Sequence, residues 1–152
     1  MVDQAHDLGM YVIFDWVPGH TGWDHVWIES NPEYYLKNEA GEIIDPIDPR
    51  TGQSFGWTDV ADLDYDNQAM RTAMKEAMLY WVKEVDIDGY RIDQAYAVPM
   101  DFYEDTFDAI KKLKEAKEHL DLELISQEEY DDLKNELKHL IISSDKKRAE
   151  RM

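Results

Sequence analysis

The chain contains no cysteine. That excludes a disulfide framework and removes the usual clue to redox compartment. No apolar run approaches the roughly 18 residues that a membrane-spanning helix needs, and no secretory leader opens the sequence, so the chain reads as soluble with its compartment unassigned. Basic residues are scarce. Sixteen Lys and Arg stand against 34 Asp and Glu, for a formal net charge of −18. Such a surface repels phosphate backbones and anionic bilayers, which argues against nucleic acid and membranes as partners. It suits a neutral ligand or a bound cation, although a solvated acidic surface accounts for most of the charge. At 152 residues the chain fits one domain.

What is present is organised around Asp88-Gly89-Tyr90-Arg91-Ile92-Asp93. The segment reads as a short buried strand ending in a charged pair. Side chains alternate along a strand, so Arg91 and Asp93 share a face. A guanidinium beside a carboxylate favours its ionised form. An ionised, oriented Asp at the C-terminal end of a parallel strand is where α/β enzymes place a nucleophile; a plain salt bridge at a strand end is the alternative. Upstream, residues 10–17 form a near-continuous apolar run, as in a parallel strand buried on both faces, with Asp15 and His20 at its C-terminal rim. Before it, residues 2–9 read as the end of a helix capped by Gly9.

Tyr11-Val12-Ile13-Phe14-Asp15-Trp16-Val17-Pro18-Gly19-His20 and Gly89-Tyr90-Arg91-Ile92-Asp93 together resemble the α-amylase family of glycoside hydrolases. That family carries a D-x-x-x-N-H segment on the third barrel strand and G-[FY]-R-x-D on the fourth. Trp23-Asp24-His25, Asp45-Pro46-Ile47-Asp48-Pro49 and Ala61-Asp62-Leu63-Asp64-Tyr65-Asp66-Asn67 are similar too, and the likeness covers roughly residues 1–115. The resemblance implies a partial TIM-barrel-like (β/α) segment of about three parallel strands, because a complete barrel needs about 250 residues. It implies action on α-1,4-linked glucans, with starch or a maltooligosaccharide as partner, and a family often secreted or periplasmic. It makes Asp93 the nucleophile and His20, Arg91, Asp15, Trp57 and Tyr96 substrate-binding residues. The acid/base is Glu128, with Glu129 as its rival and helix capping as the alternative for both. No cofactor is implied with certainty. The family's calcium site usually includes an Asn where this chain has Gly19, which weighs against Ca²⁺ here. The family's third acid, on the seventh strand, has no match, so weak or absent turnover is expected. The alternative is a non-catalytic half-barrel-like scaffold, natural or engineered, that at most binds sugar weakly.

Residues 21–67 are too long and too rich in Gly, Pro, Asn and Asp for a simple connection, and read as an irregular excursion. Of Trp23, Trp27, Tyr34, Tyr35, Phe55 and Trp57, one or two are expected to face substrate and the rest to form a small core. Asp62, Asp64 and Asp66 alternate as in a calcium loop, but Asn67 and Ala73 stand where an EF-hand needs Gly and Glu. A looser cation site and a strand-to-helix turn capped by Asp66 or Asn67 are the two remaining readings. Met70, Met74, Ala77, Met78, Trp81, Val82 and Val85 define one helical face. Pro99 opens a second helix with Phe102, Phe107, Ile110 and Leu113 inward. Leu120 to Ile125 alternates apolar and acidic residues, as an exposed edge strand does. Ser126 and Glu129 form a capping box, and Tyr130, Leu133, Leu137, Leu140 and Ile141 continue on one face. The domain is expected over 1–142, with a charged, frayed tail at 143–152. A partial barrel has unpaired edges, so self-association is expected unless the last helix covers them.

Overall fold

In the computed structural model, which describes residues 1–137, the chain opens on helix α1 (Val2–Asp7). Gly9 ends it, with a φ of 72° in the left-handed region that L side chains avoid. The Gly9 N–H reaches the His6 carbonyl at 2.8 Å and the Met10 N–H reaches Ala5 at 2.9 Å. Two carbonyls that a bare helix end leaves unpaired are thereby satisfied, the glycine-capped end predicted from the sequence. There follow β1 (Ile13–Trp16), β2 (His20–Gly22), α2 (Val26–Ser30), a 3₁₀ turn (Pro32–Tyr34), β3 (Val60–Asp62), α3 (Gln68–Val85), β4 (Gly89–Ile92), a second 3₁₀ turn (Ala95–Ala97) and α4 (Met100–Asp121). Residues 127–137 are helical and are called α5. No described helix is long and apolar enough to cross a membrane.

The chain divides into two compact units. The first comprises Met1–Val12, Thr72–Gly89 and the described residues from Asp101 onward. In it α3 buries Met74, Met78 and Val82, the methionine face predicted from helical spacing. Burying each such side chain stabilises the fold by roughly 1.5–3 kcal/mol. Along α4 the buried positions are Phe102, Tyr103, Thr106, Ala109, Ile110, Leu113 and Ala116. Phe107, expected inward, is 38% exposed. The buried stripe runs through 102, 106, 109 and 113, and residue 107 falls to its side, its ring stacked on Tyr103 at 6.1 Å. Buried Lys75 is 4.0 Å from Asp105. Asp88 accepts from Val12 N–H at 2.6 Å and meets His6 Nε2 at 2.9 Å. Burial alone pushes the Asp88 carboxyl upward, but those bonds and Lys114 hold it below its ordinary value.

The predicted edge strand at 120–125 is not formed. α4 runs through Asp121, and residues 122–125 make a turn and bend with Glu123 at φ 55°. Leu122 and Leu124 are 68% and 67% exposed, so their alternation has no sheet to meet. The capping box does form: Glu129 N–H donates to Ser126 Oγ at 3.2 Å and Ser126 N–H to Glu129 Oε2 at 2.7 Å. Leu140, Ile141 and the tail at 143–152 lie outside the described residues.

The second unit comprises Ile13–Arg71 and Tyr90–Met100. β2 pairs antiparallel with β3, His20 opposite Asp62 and Gly22 opposite Val60. The excursion therefore leaves and returns through a paired gate, which the sequence reading did not anticipate. Its small core holds Tyr35, Ala61, Leu63 and Tyr65. The Tyr65 hydroxyl donates to Pro18 O at 2.8 Å, and Tyr35 shares a 2.8 Å bond with Thr21. Asn67 Oδ1 accepts from Met70 N–H at 3.1 Å, so Asn67 rather than Asp66 caps α3. β1 pairs with β4. Their backbone bonds run from Asp88 to Val12 and from Asp93 to Trp16, partner numbers rising together, which makes the pair parallel.

Candidate functional site

The end of this parallel pair carries the charged residues singled out in the sequence. From β4, Arg91 Nη1 donates to Asp15 Oδ1 at 2.8 Å and Oδ2 at 2.9 Å, while Nη2 stands 3.0 Å from Asp93 Oδ1. One guanidinium thus bridges two carboxylates, where the sequence reading paired it with Asp93 alone. Asp15 contributes most to raising the Arg91 pKa, and Asp93 adds to it. The Asp93 N–H donates to Trp16 O at 2.9 Å, which fixes the backbone carrying that carboxylate. The Asp15 and Arg91 side chains are 64% and 56% exposed and Asp93 35%. Ion pairs this wet add little stability, so what the bridge supplies is orientation.

Beside it lies a concavity of about 180 Å³ whose walls include His20, Phe55, Trp57, Asp62, Asp64 and Gln94. His20 comes from β2 and meets Trp57 edge-on at 5.7 Å, and Trp57 stacks on Phe55 at 4.4 Å and 13°. Burial lowers the His20 pKa, against the opposing pull of the Asp93 and Asp59 carboxylates. At neutral pH a lowered imidazole is uncharged and offers one donor and one acceptor. Asp62, opposite His20 in the β2–β3 register, is pushed up to about 6, chiefly by burial. The Ile47 and Leu63 N–H groups oppose that shift, and the Asp45 and Asp64 carboxylates reinforce it.

The six aromatic residues of the excursion now separate. Phe55 and Trp57 face the concavity. Tyr35 is core, Trp27 packs edge-on against His25 and Tyr34, and Trp23 Nε1 donates to Thr58 O at 3.0 Å. Tyr96, expected at the substrate, stands 50% exposed with the Arg50 guanidinium 4.8 Å from its ring centre. Arg50 is itself held by Asp48 through bonds of 2.9 and 2.7 Å. Glu128 lies in the first turn of α5, in the first unit, instead of at a strand end, and Glu129 closes the capping box. Sequence reasoning missed Gln94. It lines the concavity with a φ of 50°, a conformation its residue type does not announce, although its place directly after Asp93 could have drawn notice.

Among the described residues, no group of three or more acids or histidines is placed to hold a metal ion. Asp64 accepts from Asp66 N–H at 2.9 Å and Asp62 from Ile47 N–H at 3.1 Å, so both carboxylates hold turns together. A larger groove of about 250 Å³ in the first unit is lined by Leu79, Tyr80, Leu113 and Leu137 with Glu76 and Glu84, and has a single aromatic ring and no histidine.

Comparison with known proteins bears on the family of the chain. Residues 47–143, well over half the chain, match the profile of the family described as "Alpha amylase, catalytic domain". The chain is 33% identical over 94 residues to the 1,4-alpha-glucan branching enzyme GlgB of Leifsonia xyli subsp. xyli, covering 61% of this chain and 12% of that protein. Among solved structures it resembles the maltogenic alpha-amylase AmyB of Thermotoga neapolitana, with TM-score 0.64 and 36% identity over 74% of this chain and 25% of that one. The alpha-amylase of Geobacillus thermoleovorans, complexed with acarbose, matches with TM-score 0.57 and 34% identity over 72% of this chain and 25% of its own. The described residues thus form part of an amylase (β/α)8 barrel, without a closed barrel among them. This chain, which spans only a fraction of those relatives' length, belongs to the α-amylase catalytic-domain family of glycoside hydrolases.

Proposed function

We propose that the chain supplies the nucleophile and part of the sugar site of a retaining glycoside hydrolase that cleaves α-1,4 bonds in starch or maltooligosaccharides. The observation that supports this best is Asp93, bridged by Arg91 to Asp15 beside the concavity of His20 and Trp57. In a retaining mechanism the Asp93 carboxylate attacks the anomeric carbon while an acid protonates the departing glycosidic oxygen; water then releases the sugar and restores the carboxylate. Neutral His20 would bind a sugar hydroxyl, and the Trp57 face would stack on the apolar C–H side of a glucose ring. The acid/base role for Glu128 rests on resemblance alone, because the strand expected before it is a helix end and bend.

The place of Glu128, at a helix start instead of a strand end, favours a second reading, in which this chain binds sugar weakly and turns over little. Cleavage of a chromogenic maltooligosaccharide, measured beside Asp93→Asn, separates the two. A rate abolished by Asp93→Asn supports the hydrolase. A rate equal in both proteins removes Asp93 from the mechanism. Maltotriose binding with no cleavage selects the second reading.

A further inference from the structure

Gln94 holds a backbone conformation that its side chain does not favour. Its φ and ψ are 50° and 39°, in the left-handed region where glycine is at ease and asparagine is tolerated. It is also the residue preceding the 3₁₀ turn Ala95–Ala97, a position suited to Ser, Thr, Asp or Asn, and its side chain makes no capping bond. Both local preferences therefore point away from glutamine. Its carbonyl accepts from Ala97 N–H at 3.0 Å, a bond that any residue could supply. Among the described residues its carboxamide has no hydrogen-bond partner, yet Gln94 is half-buried on the wall shared with His20 and Trp57. A strained residue with an unused polar end beside a candidate nucleophile is where a functional constraint outweighs local preference.

We propose that Gln94 reads a hydroxyl of the bound sugar, its carboxamide hydrogen-bonding into the concavity next to Asp93. The inference rests on the sugar-binding reading of that concavity. A carboxamide is well matched to a hydroxyl, since it is neutral and carries two donors and an acceptor. It also leaves the adjacent carboxylate uncompensated by any new charge. Strand β4 fixes where the residue starts, and the left-handed turn sets the direction in which its side chain leaves the backbone. Asn would relax more easily there but is one methylene shorter. The length of Gln is what the strain preserves.

Two substitutions in the full chain separate the amide from the strain, with maltotriose as the titrated probe. Gln94→Met keeps length and backbone strain but removes the hydrogen bonds. It should weaken maltotriose binding about tenfold while leaving the urea midpoint unchanged. Gln94→Gly relieves the strain and should raise the midpoint while weakening binding to a similar degree. Trp57→Ala, measured alongside, reports on the concavity itself. If Gln94→Met binds like the parent while Trp57→Ala loses binding, the Gln94 proposal is overturned and the sugar site stands. A parent chain that binds no maltotriose overturns both. A Gln94→Gly protein that unfolds at lower urea than the parent removes the strain on which the inference is built.

Discussion

Asp62 sits where its charge is unwelcome. Its folded pKa of about 6 lies above the unfolded carboxylate value, which is near 3.9. Between those values the folded chain binds more protons than the unfolded one, so this residue's contribution to stability falls as pH rises from about 4 to about 6. The group is only part-buried, and after discounting for solvent the loss is on the order of 1 kcal/mol. Asp62→Asn keeps an acceptor for the Ile47 N–H and should remove that slope, leaving the variant more stable than the parent at pH 7. Urea unfolding at pH 4 and pH 7 checks it, and parallel curves for the two proteins would contradict it. Arg91→Ala should behave differently. Its pairs are exposed, so the urea midpoint should barely move at either pH, while maltotriose binding or cleavage falls. A large midpoint shift confined to neutral pH would show that the bridge stabilises the fold. At this scale the sequence was informative about Asp15, His20, Arg91 and Asp93, because residue type and spacing alone put them at strand ends. It was silent on Gln94 and, having put Tyr96 at the substrate, did not foresee Arg50 over its ring, since a positive φ and a cation–π partner 46 residues away leave no local pattern.

Elements were legible where capping chemistry is local. Gly9 closes α1, Asn67 starts α3, and Ser126 with Glu129 starts α5. Gly9→Ala should cost about 1 kcal/mol, because the left-handed conformation that pairs the Ala5 and His6 carbonyls is strained for alanine. Ser126→Ala should lose a similar amount, about 1 kcal/mol, through the cap. Thermal unfolding measures both, and an unchanged Gly9→Ala would mean that α1 frays before the rest unfolds. The failure at 120–125 has the opposite cause. A two-residue alternation signals a strand only if a sheet is there to bury one side. Here Ala116, buried, and the helix formers up to Asp121 carry α4 onward, and the two leucines that follow stay in water.

Across the whole molecule the sequence identified an α/β segment with an irregular excursion, and missed how that excursion is closed. Tyr11, just before β1, and Ile13, within it, are 87% and 60% exposed, so the apolar run at 10–17 is not buried on both faces as expected. Exposed apolar strand surface favours association, whereas a net charge of −18 opposes it. Sedimentation should therefore show monomers at low ionic strength and larger species as salt screens the repulsion; monomers at every salt concentration would rule out that surface as a contact. The paired gate has a consequence of another kind. Gly22 and Val60 face each other in antiparallel register, so the long loop begins and ends at neighbouring points. Material between them can be lengthened, shortened or exchanged for another insert without altering the spacing of the strands that hold it. Such a layout is modular: under the function proposed above, the framework bearing Asp93 and the piece bearing Trp57 can change separately, so ligand preference can be altered while the nucleophile keeps its place.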